Sequence, residues 1–394
     1  MSLSEVKAAV MVAPGRIEIR HFPYPEVSDH TALLRMELSG ICGTDKHMYK
    51  GEITHGLGTP GGVETPFPII PGHENVGIIA EIGDSAARTM EINGDLLKKG
   101  DRVFHVNDVL CGECFWCKNI YGYPYCEDWH GYGVSISAKD PPYLYGGWAE
   151  YMFLTSKVRL AKIPDGVPWE VAVLTEPMTV AYGAIGKASL PYPLAKEGFS
   201  PGDIVVIQGA GPVGMCNLAM ARMVGAGNVF VVENGGPQSE YRLQIATELG
   251  ADDVVNDADP NERINSILKL SHGRGADLVI ECTGVPQAVA EGLDMMRRGG
   301  VYLEMGNFVD AGQVTISPHQ HILMKEAHII GVSGWPWQAS NRVLTLLKRH
   351  LGTIPFSKIV THTFTIEEAE RAIETAMKEN AVKVVIGPEP KGVS

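Results

Sequence analysis

Residues 111–126 read CGECFWCKNIYGYPYC, four cysteines in a chain that has seven in all. Cys111, Cys114, Cys117 and Cys126 follow a C-x2-C-x2-C-x8-C spacing. Four thiolates so spaced can close a tetrahedral shell around zinc, at about 2.3 Å per sulfur. An iron–sulfur cluster is the competing reading, since its bacterial spacing also begins C-x2-C-x2-C. In that spacing the fourth cysteine follows within a few residues and precedes proline, so the x8 gap favours zinc. A redox dithiol would use two cysteines and leave two unexplained. Zinc held by four thiolates has no open position for water or substrate, so its role is structural.

Chemistry that needs a metal must therefore be sought elsewhere, and GICGTDKHMYKG and PIIPGHENVG offer the residues. Cys42 is a soft ligand, His73 a borderline one and Glu74 a carboxylate. Three protein ligands plus one exchangeable position make a catalytic zinc. Asp45 is placed to hold the His73 imidazole in its ligating tautomer. Further along, LTEPMTVAYGA supplies Glu176 at the start of a helical segment. Taken singly, Cys42 could equally be a core thiol, His73 a loop histidine and Glu176 a carboxylate favoured by a helix dipole.

A third group lies in IVVIQGAGPVGMCNLAMARMVGAG. Gly209 permits a tight turn, Gly211 lets the backbone approach a pyrophosphate, and Gly214 lets helix and strand pack closely. Pro212 and Val213 complete the turn. Glu233 ends the next strand, about 20 residues on, where a carboxylate binds the adenosine ribose and repels a 2′-phosphate; NAD is favoured over NADP. Thr283, in DLVIECTG, is a further candidate cofactor contact. Arg242 follows a GGPQSE stretch that could fold it toward a phosphate, which leaves the cofactor type less fixed than the turn.

Two textures position these residues. Up to about 185 the chain has short β-rich runs (KAAVMVA, TALLRMELSG, NVGIIAEIG, DRVFHV) broken by Gly/Pro clusters, and few helices. From 186 to 332 apolar strands alternate with helices (DIVVIQGAGPVG, NVFVVEN, YRLQIATELGA, DLVIECTG, VYLEMGN, IIGVSG), the pattern of a doubly wound parallel sheet. Residues 333–394 add two helical segments and a closing strand, VKVVIG, expected to return to the first domain. Loops at 51–68 and 127–147 are long enough to be functional suspects.

The composition, 45% apolar with 45 glycines among 394 residues, is that of an enzyme-sized globular chain, and no apolar run reaches the roughly 18 residues of a membrane span. The opening MSLSEVKAAVMVAPGRIEIR lacks a basic region leading into an apolar one, so a cytoplasmic protein is expected. A net charge of −13 without a basic run argues against nucleic acid and anionic membranes as partners. The same lack of basic surface argues against a nucleic-acid zinc ribbon at 111–126.

CGTDKH, GHE, the four-cysteine run, TEP and GAGPVG, in this order, resemble the zinc-dependent medium-chain alcohol and polyol dehydrogenases over essentially the whole chain. Glutamate followed by proline at 176 is similar to the sorbitol dehydrogenase-like branch; the classical alcohol dehydrogenases carry cysteine there. The resemblance implies a GroES-like catalytic domain (1–185), a Rossmann NAD-binding domain (186–332), a C-terminal return (333–394) and an active site in the cleft between the domains. It implies Cys42, His73 and Glu176 as catalytic zinc ligands, with Glu74 exchanging or just outside the shell. Thr44 then contacts the substrate hydroxyl and His47 is the outer member of a proton relay. The expected protein is an α/β, NAD-linked oxidoreductase of a secondary alcohol or polyol, with two zinc ions per chain, one catalytic and one structural, and a homo-dimeric or homo-tetrameric assembly. An NADP-preferring or aldehyde-oxidising enzyme, and a cofactor-binding protein without turnover, are the alternatives. The stretch between Cys42 and His73, the MEINGDLLKKGD segment and the 127–147 loop depart from compact members, so the resemblance does not carry a substrate.

Overall fold

A computed structural model describes residues 4–52, 54–55, 63–120, 125–189, 198–378 and 380–388. Part of the loop expected at 51–68, residues 53 and 56–62, lies outside the described residues. The chain divides into two units: residues 1–176, 337–348 and 360–394 form the first, and residues 177–336 and 349–359 the second.

The first unit is built on strands β1 (Glu5–Ala13), β2 (Arg16–Pro23), β3 (Ala32–Gly40), β4 (Glu74–Ile82), β5 (Arg102–Val106), β6 (Tyr151–Leu154) and β7 (Arg159–Lys162). The second contains β8 (Ile204–Gln208), β9 (Asn228–Glu233), β10 (Asp253–Asn256), β11 (Ala276–Glu281), β12 (Met296–Glu304) and β13 (His328–Gly331). The chain then gives β14 (Val360–Phe364) and β15 (Lys383–Ile386) to the first unit.

In the first unit a mixed sheet runs β7-β5-β4-β3-β15-β14, and β6 also pairs with β3. One edge of β3 is taken by β4. Its other edge is shared by β6, opposite Ala32–Arg35, and by β15, opposite Ser39 and Gly40. Leu34, Ile79, Val103, Met152 and Leu160 are fully or almost fully buried in one apolar cluster under this sheet. Gly40 is flanked by Glu74 on one side and Val385 on the other, so three distant stretches of sequence meet at the end of β3. A Cβ at Gly40 would lie 2.0 Å from Glu74 Oε2, so the glycine makes the room for that carboxylate.

Helix α1 (Gly43–Lys50) starts directly after β3. Its first turn is closed by a reciprocal cap, in which Cys42 accepts from the Asp45 backbone and the Asp45 carboxylate accepts from Cys42 N. Gly51, at φ 73°, ends the helix in the left-handed conformation that glycine adopts most readily.

The second unit is a six-stranded sheet, all parallel, in the order β10-β9-β8-β11-β12-β13. The order reverses direction between β8 and β11, the topological switch where such sheets take ligands at their carboxyl ends. Helices α2 (Thr175–Ala188), α3 (Pro212–Met223), α4 (Pro237–Glu248), α5 (Pro260–Leu270) and α6 (Pro286–Met295) follow in chain order. Four of these begin with proline, which fixes the helical φ at a position whose N–H needs no partner. Among the described residues no helix is long and apolar enough to cross a membrane.

Candidate active site

Ligand atoms of Cys42, His73 and Glu74 lie within 4.8 Å of one another. Cys42 caps α1 and His73 precedes β4, so the ends of β3 and β4 bring them together. Asp45, fully buried, ties these two loops by their backbones: its carboxylate accepts from Cys42 N at 2.8 Å and Gly72 N at 3.2 Å. The contact expected between Asp45 and the imidazole is long, with His73 Nδ1 3.9 Å from Asp45 Oδ1, and Nδ1 has no hydrogen-bond partner among the described residues. Burial alone would lower the His73 pKa, but the charges of Cys42 and Asp45 carry it well above the usual value.

Glu74 is 1% exposed and both its oxygens accept from Lys383 Nζ at 2.6 Å; Lys383, also 1% exposed, further donates to Ile41 O at 3.2 Å. Lys383 was not legible as a site residue, although a lysine inside the apolar run VKVVIG is a signal, because buried ammonium groups require partners. Glu176, on the first turn of α2, is not within the 4.8 Å set. Burial, then the neighbouring Glu74 charge, pushes its pKa up to about 8. It also senses His73, Lys383 and Asp108, so it faces the same cluster. Asp108, buried at the end of the HVND run, accepts from Trp129 Nε1 at 2.7 Å.

The 127–147 loop backs the His73 segment. Gly147 N donates to Gly72 O at 2.9 Å and Ala138 N to Pro68 O at 2.8 Å. A Cβ on Gly133 would stand 2.3 Å from Gly72 O, and one on Gly146 1.9 Å from Ile70 O, so these glycines permit the close approach. His47, on α1 and 30% exposed, has Nδ1 2.7 Å from Glu52 Oε2. Thr44 sits on the first turn of α1, two residues past Cys42.

The four cysteines at 111–126 also converge, with their sulfurs within 4.8 Å of one another, and none of the seven cysteines forms a disulfide. Backbone N–H groups of Glu113 and Cys114 point at Cys111 Sγ, Cys117 N at Cys114 Sγ and Cys111 N at Cys126 Sγ, each at 3.4 Å. Such N–H···S bonds favour thiolates, and those from Glu127 and Cys117 bring Cys114 down to about 6. The donor set fits a closed zinc site. Cys114→Ser is accordingly expected to cost structure rather than chemistry: one equivalent of metal is lost and the thermal midpoint falls by several degrees, roughly what 1–3 kcal/mol produces in a protein of this size. Differential scanning fluorimetry with metal analysis reads both.

In the second unit Gly209 adopts φ +94°, Gly211 caps α3 in an extended conformation, and Pro212 and Val213 open the helix. A Cβ at Gly214 would lie 1.9 Å from Gly209 O, whereas one at Gly211 would meet nothing within 4 Å, which leaves open the side from which a pyrophosphate would approach. The Glu233 carboxylate accepts from Ala210 N at 2.7 Å, beside the turn. Thr283 packs against the same turn, its Cγ2 3.0 Å from where a Gly209 Cβ would be. The turn, the helix terminus and the acidic residue fit a dinucleotide.

The chain is similar to known proteins over nearly its whole length. Residues 28–165 match the alcohol dehydrogenase GroES-like domain and residues 212–349 the zinc-binding dehydrogenase family. D-arabinitol dehydrogenase 1 of Uromyces fabae is 30% identical over 390 residues, covering 98% of both chains. The 5-exo-hydroxycamphor dehydrogenase of Pseudomonas putida is 30% identical over 386 residues, covering 96% of this chain and 98% of that one. A crystal structure of an alcohol dehydrogenase from Thermotoga maritima superposes with a TM-score of 0.84 at 30% identity, covering 98% of this chain and 100% of that one. The chain belongs to the zinc-dependent medium-chain alcohol and polyol dehydrogenase family. It is an oxidoreductase that acts on alcohols.

Proposed function

We propose that this chain is a zinc-dependent, NAD-linked dehydrogenase that interconverts a secondary alcohol or polyol with its ketone. The observation that carries the reading is a buried cluster of metal-binding groups. Asp45, Glu74, Asp108 and Glu176 are each at most 9% exposed, beside Cys42 and His73, and Lys383, the buried ammonium near them, is engaged by Glu74. Carboxylates so far from water need cationic partners, and a divalent ion held by Cys42, His73 and a carboxylate supplies one.

With Glu74 engaged by Lys383 through both oxygens, Glu176 is the carboxylate proposed to complete the shell. Bound there, zinc would make a hydroxyl group more acidic, and NAD would accept the hydride. The chain's own residues do the rest. Thr44 orients the substrate hydroxyl and takes its hydrogen bond. His47, half-buried and paired with Glu52, holds the departing proton where it can pass to solvent. Glu233 supports NAD over NADP because its carboxylate would face a 2′-phosphate across the ribose site. Both curated relatives described above are named for substrates that carry secondary hydroxyls.

A panel of polyols, cyclic alcohols and aldehydes, assayed by reduced-cofactor absorbance with each nicotinamide cofactor, tests this reading. The expected result is oxidation of secondary alcohols at a kcat/KM about 100-fold higher with NAD than with NADP, since facing like charges cost several kcal/mol. Equal rates with NADP, or turnover of aldehydes alone, would contradict it.

A further inference from the structure

Strands β11 and β12 end on carboxylates. Glu281 and Glu304 are register partners on adjacent parallel strands, at the end of the sheet where a doubly wound fold takes its ligand. Like charges directly opposite each other are unfavourable unless other groups hold them. Asn307 does so: its Nδ2 is 3.4 Å from Glu281 Oε2 and 3.0 Å from Glu304 Oε1, and its backbone N donates to Glu304 Oε1 at 3.1 Å. Tyr302 Oη lies 3.4 Å from Glu304 Oε2.

Glu281, fully buried, also organises the turns above it. Its Oε1 accepts from Thr283 N at 2.6 Å, from Gly284 N at 3.2 Å and from the Thr283 hydroxyl. Its Oε2 would be 2.1 Å from a Cβ on Gly306, and a Cβ on Gly284 would be 2.8 Å from Gly306 O. One carboxylate thus underlies the Thr283–Gly284 turn and the Gly306–Asn307 turn. The first of these presses on the Gly209 turn. If the Gly209 turn takes the pyrophosphate and Glu233 the adenosine ribose, the turns after β11 and β12, across the switch point, are left for the nicotinamide riboside.

We infer that Glu281 is a positioning residue for the nicotinamide half of the cofactor, its ionised carboxylate holding the Thr283–Gly284 and Gly306–Asn307 turns in the shape the cofactor meets. The inference rests on the proposed cofactor reading and extends it to a residue that need not touch the cofactor. A protonated Glu281 is a poorer acceptor for its four N–H and O–H donors, so both turns loosen when it takes up a proton.

Burial, opposed by the Thr283 bonds and reinforced by Glu304, brings the Glu281 pKa to about 7. The other groups facing it are Cys282, the next residue along the chain, Tyr302 and Glu304 on β12, and Gln208 opposite it on β8; Cys216 on α3 stands against Cys282. Burial pushes the Cys282 thiol and the Tyr302 phenol well up, so both stay protonated near neutrality. Because the ionised form favours the cofactor, affinity is full above the transition and falls as the pH drops through about 7.

The test is the NADH dissociation constant of the full chain, read by fluorescence titration across the transition for the parent, Glu281→Gln and Glu304→Gln. The parent is expected to weaken about ten-fold from alkaline to acid pH, the size of one charge-assisted bond set lost. Glu281→Gln should show no transition and the weak constant throughout. Glu304→Gln, lacking the neighbouring negative charge, should move the midpoint to lower pH. A parental transition in Glu281→Gln, an unmoved midpoint in Glu304→Gln, or a parent that binds NADH without a transition would overturn the positioning role. A parent that binds no NADH at any pH would overturn the cofactor reading beneath it.

Discussion

Cys42→Ala is expected to lower alcohol oxidation by at least about 10³-fold while NADH binding persists. Cys42 closes the first turn of α1 and contributes the soft donor of the Cys42, His73 and Glu74 cluster. Removing it leaves an imidazole and carboxylates, a weaker set for zinc, and the loss of a Lewis acid worth several kcal/mol of transition-state stabilisation gives a rate loss of that order. The Gly209–Gly214 turn and Glu233 lie in the other unit and keep their bonds, so cofactor affinity is the internal control. Steady-state kinetics and NADH titration on the same preparation separate the two effects.

Lys383→Met is expected to be the most destabilising single change in the first unit. The pair it breaks is 1% exposed on both sides, with two bonds of 2.6 Å from Nζ to the Glu74 oxygens. Removing one partner leaves Glu74 charged and unpaired in the interior, at a cost of about 3–5 kcal/mol. The double variant Glu74→Gln/Lys383→Met should recover part of that loss, because the remaining amide carries no charge. Urea unfolding of the two single variants and the double variant measures the coupling. A Lys383→Met protein within about 1 kcal/mol of the parent would show that the pair does not hold the start of β4 to β15.

The residues visible in the sequence were those whose chemistry restricts their type and spacing. Four thiolates suited to one ion, and three glycines between a strand and a helix, leave few substitutes; the four sulfurs converge, and Gly209 takes the positive φ of a tight turn. Lys383 escaped notice because its partner Glu74 is 309 positions away and only the pairing of β15 with β3 brings them together. Strand β10 is hard to see in ADDVVND, which carries as many acids as apolar residues, and its parallel pairing with β9 decides its conformation. The position of Asp45 suggests a support for the His73 imidazole, but its bonds run to the backbone of Cys42 and Gly72, a choice set by loop geometry. The units part between Glu176 and Pro177, inside an unbroken helix, where no turn residue or change of composition marks the point. Glu281 resembles an ordinary strand end until Glu304 and Asn307 arrive beside it from the next strand.

Zinc content per chain, measured by elemental analysis on the purified parent and on Cys42→Ala, decides whether Cys42 holds an open metal site. About two zinc ions in an active parent, and about one in a folded variant that binds NADH without oxidising alcohols, is the predicted result. Equal zinc content in the two proteins, or parental turnover in the variant, would contradict the assignment of the open site to Cys42.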